Sequence, residues 1–165
     1  MAGAARQKQK QASVAEAHAA IECLARLSEL YQKRREQLAS GVGLTDAEWG
    51  VLEEIATEHF MPSLFARRRE SSAAAVSKIL RQVGDKGLVV ATISKGDARQ
   101  RNYALTPKGK KVMDRLRAGR EAAIRDVWLA MDGSRMKDFT DFGNELAGRL
   151  EAYAADAGAR GQGDR

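Results

Sequence analysis

A chain of 165 residues, 44% of them hydrophobic, is long enough to bury the core of one domain. Its one cysteine, Cys23, excludes an intrachain disulfide, and without a long apolar run or a secretory leader we expect a soluble, cytoplasmic protein with no membrane contact. The formal net charge of +6 makes an acidic partner the first expectation.

Residues 1–12 are small, polar and basic, with Arg6, Lys8 and Lys10 among glutamines, and we expect a disordered tail. Residues 13–43 predict one long helix and its stop. Val14, Ala17, Ile21, Leu24, Leu27 or Ser28, Tyr31 and Leu38 make an apolar stripe, and Gly41-Val42-Gly43 ends it. At 1.5 Å per residue such a helix spans about 40 Å, so it should pack against more than its own domain. Residues 44–106 form the central unit. Thr45-Asp46-Ala47-Glu48 is a capping box opening a helix to Glu58, with Trp49, Leu52 and Ile55 or Ala56 facing inward. Pro62 suits the first turn of a short helix reaching about Arg69, because its missing N–H would be unpaired there anyway.

Ser71 or Ser72 caps the next helix, whose Val76, Ile79, Leu80 and Val83 fall at i, i+3, i+4 and i+7. Ala74, Lys78 and Arg81 lie on its opposite face, flanked by Ser77 and Gln82. Gly87 accepts the left-handed conformation that ends it. Leu88 to Ile93 is β-branched and apolar, a strand; Lys95-Gly96-Asp97-Ala98-Arg99 is a charged turn; Asn102 to Leu105 returns as its partner. A helix followed by a basic hairpin is a winged helix-turn-helix, whose helix enters a major groove while the wing reaches the backbone or minor groove.

The charge has the same address. Residues 67–101 hold nine cations (Arg67, Arg68, Arg69, Lys78, Arg81, Lys86, Lys95, Arg99, Arg101) against three anions (Glu70, Asp85, Asp97), an excess equal to the whole net charge. A charge run is usually a solvated face, but on a helix-plus-hairpin unit it is the footprint of DNA binding. We therefore expect Ser72, Ala74, Ser77, Lys78, Arg81, Lys95, Arg99 and Arg101 to meet DNA, with Asp97 orienting Arg99 at the wing tip.

Residues 107–156 predict two further helices. Thr106 caps the first, Pro107 opens it, and it runs to about Met131 through Val112, Leu116, Ala123, Ile124, Val127 and Trp128. After the break at Asp132-Gly133-Ser134, Arg135 to about Ala155 carries Met136, Phe139, Phe142, Leu146, Leu150 and Tyr153 on one side. Residues 157–165 are Gly-rich and charged, an expected disordered tail. One small wing unit cannot bury three long apolar stripes, so residues 13–43 and 107–156 are expected to interleave across the two-fold axis of a homodimer. The fold class is mainly α with a small β-hairpin wing: a winged helix-turn-helix plus long terminal dimerisation helices.

Several of these stretches, in order, resemble the MarR family of transcription regulators. Leu44 to Leu52 resembles its second helix, Val76 to Val89 its recognition helix, Asp97-Ala98-Arg99 its D-x-R wing signature and Leu105-Thr106-Pro107-Lys108-Gly109 its L-T-x-x-G motif. Arg69 and Ser71 depart from it, standing where that family has apolar residues. The resemblance implies a dimeric regulator of a pseudo-palindromic operator, a repressor released by a small ligand, often an aromatic acid. It also implies an effector pocket between the terminal helices and the wing unit. His18, Tyr31 and Trp49 are candidates to line it, although each also suits a core or interface.

Two rival readings compete with this one. A redox-sensing regulator acting through Cys23, with Tyr31 two turns on, is the alternative within the class; Ile21-Glu22-Cys23-Leu24-Ala25 suits a buried structural cysteine better. A small enzyme is the alternative outside it, but H-E-x-x-H, a phosphate-binding glycine loop and a nucleophile elbow are all missing. His18 and His59 fall on different predicted helices, so neither metal nor cofactor is expected.

Overall fold

The computed structural model describes residues 11–57, 60–93 and 101–162, with side chains to residue 157. Two compact units divide the chain, one reaching Arg117 and the other beginning at Ala118. The boundary lies within a helix.

In the first unit, α1 (Val14–Ser40) begins at Ser13, which makes a reciprocal capping box with Glu16. Its apolar stripe is exposed: Ile21, Leu24 and Tyr31 all lie open, and burial begins only at Arg35, Leu38 and Ala39 near the C-terminus. Cys23 lies on the exposed part and is therefore exposed, not buried as a structural cysteine would be. Helix α2 (Asp46–Ile55) begins at the expected Thr45–Glu48 capping box. Trp49, Val51, Leu52 and Ile55 enter the core, whereas Ala56 stays outside. Arg35 ties α1 to α2. Its guanidinium lies 4.1 Å over the Trp49 ring and pairs with Asp46 and, at 3.0 Å, with Glu53.

Helix α3 (Pro62–Arg68) buries Phe65 and Ala66, and α4 (Ala73–Asp85) buries Val76, Leu80 and Val83 against α2 and α3, with Ile79 half-buried. Each fully buried aliphatic side chain contributes about 1.5–3 kcal/mol relative to its exposure. Strands β1 (Val89–Ile93) and β2 (Arg101–Leu105) pair antiparallel, from Val89 opposite Leu105 to Ile93 opposite Arg101. Tyr103 of β2 meets Phe60 edge to face, with ring centroids 5.7 Å apart.

The join between β2 and α5 (Pro107–Ala123) gives the L-T-P-K-G stretch its physical meaning. The Thr106 hydroxyl donates to the Gly87 carbonyl at 2.8 Å and accepts the Gly109 N–H at 3.0 Å. The Thr106 N–H donates to the Leu88 carbonyl at 3.0 Å, and a methyl group on Gly109 would stand 2.1 Å from that same oxygen. Only glycine allows α5 to start so close to β1. Across the same corner, the Lys86 ammonium bonds the Glu48 carboxylate at 2.7 Å and the Gly43 carbonyl at 2.9 Å. Glu48, only 3% exposed, is thus the buried charge through which α2 holds the C-terminal end of α4.

In the second unit the helix does not run unbroken to Met131. It passes at Ile124–Trp128 into a π-helical turn, closed by the Leu129 N–H on the Ile124 carbonyl at 2.9 Å. The Asp132 carboxylate then accepts the N–H groups of Ser134 and Arg135 and starts α6 (Gly133–Gln162), which continues past the expected end at Ala155. Val127, Leu129, Phe139, Phe142, Leu150 and Tyr153 are exposed along these helices.

Gly109→Ala should lower stability by about 1–3 kcal/mol, because backbone on both sides must move. Gly84→Ala, in a helix and with nothing within 4 Å of the added methyl, should raise it by about 0.5–1 kcal/mol. Urea denaturation of both variants measures the contrast, and equal changes would contradict the close approach.

Burial pushes the Glu48 carboxyl up, but the Lys86 ammonium and the Thr45 bonds hold it below the usual value of 4.5. A lowered folded value favours folding wherever the carboxylate is charged, so this stabilisation is complete above about pH 4.5 and is lost as the pH falls through the lowered value. Thermal unfolding between pH 7 and 3 should therefore show wild type losing more stability than Glu48→Gln.

Candidate nucleic-acid interface

The helix-turn-helix is built by local rules. Met61 precedes Pro62 without a side-chain cap, and the proline supplies the first turn of α3. The turn into α4 is tight: the Arg69 N–H returns to the Phe65 carbonyl at 3.1 Å, and the Ser71 N–H to the Ala66 carbonyl at 2.9 Å. Closing it forces Glu70 to φ +48°, a left-handed conformation that costs a side-chain-bearing residue about 1–2 kcal/mol. Of the two candidate caps, Ser72 is the one used, its hydroxyl accepting the Ala75 N–H at 3.1 Å.

Burial fixes the direction of α4. With Val76, Leu80 and Val83 inward, Ser72, Ala73, Ala74, Ser77, Lys78, Arg81 and Gln82 are all exposed. Neither Lys78 nor Arg81 pairs with a carboxylate among the described residues. Arg101 is exposed at the start of β2, opposite Ile93 at the far end of the hairpin ladder. Lys95, Asp97 and Arg99 lie outside the described residues.

The other cations divide by task. Arg68 pairs with Glu54 and Lys86 with Glu48, so both join helices of the unit. Arg69 lies 5.7 Å over the Phe65 ring, its terminal nitrogen 3.4 Å from where a Gly50 methyl would stand. Arg69 thus lies along the α2 backbone at Gly50, where the family resemblance puts an apolar side chain. Arg67 is exposed in the last turn of α3, beside the turn. It is not among the residues that the sequence singles out for DNA, although its place in the Arg67-Arg68-Arg69 run is a signal.

A cleft of ≈ 340 Å³ opens between Phe60, Met61, Pro62 and Ser63 on one side and Arg101, Asn102 and Tyr103 at the start of β2 on the other. The residues expected to hold an effector do not converge on it. His18 and Tyr31 are exposed on α1, about 20 Å apart along its axis. Trp49 is 2% exposed and packed under Arg35, with its indole N–H unpaired among the described residues. Among the described residues no helix is long and apolar enough to cross a membrane.

No family model and no curated protein matches this sequence. Solved structures do match in fold. A crystal structure of a MarR family transcription regulator superposes with a TM-score of 0.77 at 18% identity, over 84% of this chain and 93% of that one. Staphylococcus aureus MarR, in complex with salicylate and kanamycin, superposes with a TM-score of 0.71 at 18% identity, over 82% and 93%. S. aureus MepR in a DNA complex does so with a TM-score of 0.64 at 13% identity, over 84% and 99%. The chain has the winged-helix fold of MarR family transcription regulators.

Proposed function

We propose that the protein is a cytoplasmic, non-enzymatic transcription regulator that binds a pseudo-palindromic DNA operator as a homodimer. The observation that carries this reading is the outward row of α4, where Lys78 and Arg81 stand exposed and unpaired among the described residues, opposite the buried Val76, Leu80 and Val83. An unpaired cation on a recognition helix is ready to displace counterions from a phosphate without first breaking a bond. Arg101 and Arg67 extend the basic surface to either side, and on sequence grounds Lys95 and Arg99, oriented by Asp97, complete it at the wing tip. The DNA complex of S. aureus MepR supports the same use of this fold.

The dimer rests on exposed apolar surface. Ile21, Leu24, Leu27 and Leu30 on α1, and Phe139, Phe142 and Leu150 on α6, are each 45–62% exposed in the single chain. Burying such side chains against a second copy is worth about 1.5–3 kcal/mol each before the cost of association. A two-fold axis would also present two recognition helices to successive major grooves.

Regulation belongs to the same proposal: a repressor released by a small ligand, of which the salicylate complex of S. aureus MarR gives the chemical type. A ligand can do this only by binding one spacing of the two recognition helices more tightly than another. His18 and Tyr31 would then serve on the dimer surface, not in a pocket within one protomer. Cys23 is exposed in the single chain, but it shares a face of the same helix with Leu27 and Leu30, so the redox alternative requires its thiol to stay open at the edge of the dimer.

Sedimentation should give a dimer at micromolar concentration. Duplex affinity should fall with salt by about 0.9 in log K per neutralised phosphate, at sites whose halves lie about 34–36 Å apart. A monomer, or binding indifferent to salt, would contradict the proposal.

A further inference from the structure

The face that α4 turns to solvent is chemically divided along its length. Ala74, Lys78 and Arg81 recur at i, i+4 and i+7 in one exposed row, opposite the buried residues. In the first turn this row offers only methyl groups. Ala73 and Ala74 are exposed there; of the flanking exposed hydroxyls, Ser72 accepts the Ala75 N–H at 3.1 Å through its oxygen, and Ser77 lies a turn further on, beside Lys78. Long polar side chains begin one turn later, at Lys78 and Arg81.

Base edges respond to this division. In the major groove the thymine C5-methyl is the apolar group, whereas guanine presents two acceptors, N7 and O6. A methyl pressed on a polar edge would strip it of water and give no hydrogen bond in return, which disfavours G·C pairs beneath the first turn. Short side chains also let that turn approach the groove floor closely, as a methyl contact at about 4 Å requires. Arg81, two turns on, has the reach and the forked donors to bridge a guanine from farther out.

Resting on the DNA-binding reading above, we propose that α4 reads thymine methyl groups through Ala73 and Ala74 and one guanine through Arg81. Each operator half-site is then a thymine-containing segment flanked by a G·C pair. Specificity lies partly in side chains that make no hydrogen bond at all.

The test uses the full chain and a pool of randomised duplexes, with the bound fraction sequenced. Enriched sites should carry thymines at fixed positions beside a fixed guanine. Replacing a contacted thymine by deoxyuridine removes only its methyl group and should weaken binding about fourfold. In Ala74→Gly the same replacement, at the thymine that Ala74 meets, should matter less than about twofold. Arg81→Ala should keep the uracil penalty and lose the preference for guanine. Unchanged wild-type affinity for the uracil duplex, with salt-sensitive binding retained, overturns the methyl readout and leaves the DNA-binding reading standing. Failure to bind or enrich any duplex removes that reading, and the inference with it.

Discussion

The burial of Val76, Leu80 and Val83 against α2 and α3 is the constraint on which the candidate interface depends. Three apolar positions on one side of a short helix leave it one stable rotation about its axis. That rotation sends Ala74, Lys78 and Arg81 outward. Its C-terminal end is held separately, by Lys86 on the buried Glu48 and on the Gly43 carbonyl. Losing the Glu48 carboxylate would leave a lysine without its partner and loosen the same corner that Gly109 and Thr106 lock from the α5 side. The outward face of α4 is therefore set by apolar packing in the middle and by polar bonds at the end.

Single helices of this chain divide into buried and bare parts. Along α1, Arg35 and Ala39 belong to the core while Ile21, Leu24 and Tyr31 do not. Leu116 of α5 is buried, yet Val127 and Leu129, at and beyond the π-helical turn, are exposed. A π-helical turn inserts a residue and shifts the angular register of the helix after it, so the apolar positions on either side cannot share one straight stripe. Apolar side chains left in rows on helices without a partner are what the proposed dimer would cover.

Much of this fold is legible in the sequence because caps and periodicity are local. Thr45 with Glu48, Pro62, Ser72, Gly87, and Thr106 with Gly109 each mark a boundary by satisfying or sparing a backbone group within a few residues. The features that were not legible depend on distant partners. Nothing near Glu48 announces a lysine thirty-eight residues away, and nothing near Arg69 announces Gly50. Glu70 in a left-handed turn violates the local preference for glycine and emerges only when α3 and α4 must meet at that spacing. The π-helical turn at Ile124–Trp128 contains neither glycine nor proline, so no punctuation signals it. On α4, the apolar period alone dictates which row is exposed. The residues expected to line an effector pocket, by contrast, rested on residue type, and Trp49 proved to be core.

If DNA meets the outward row of α4, reversing the charge at one position of that row must abolish binding. Arg81→Glu and Lys137→Glu change the net charge equally, but Arg81 stands on that row and Lys137 on α6. Fluorescence anisotropy of a labelled operator duplex, at fixed salt and with matched melting temperatures, should show binding lost in Arg81→Glu and retained in Lys137→Glu. Equal affinities for the two variants would mean that DNA does not meet this row.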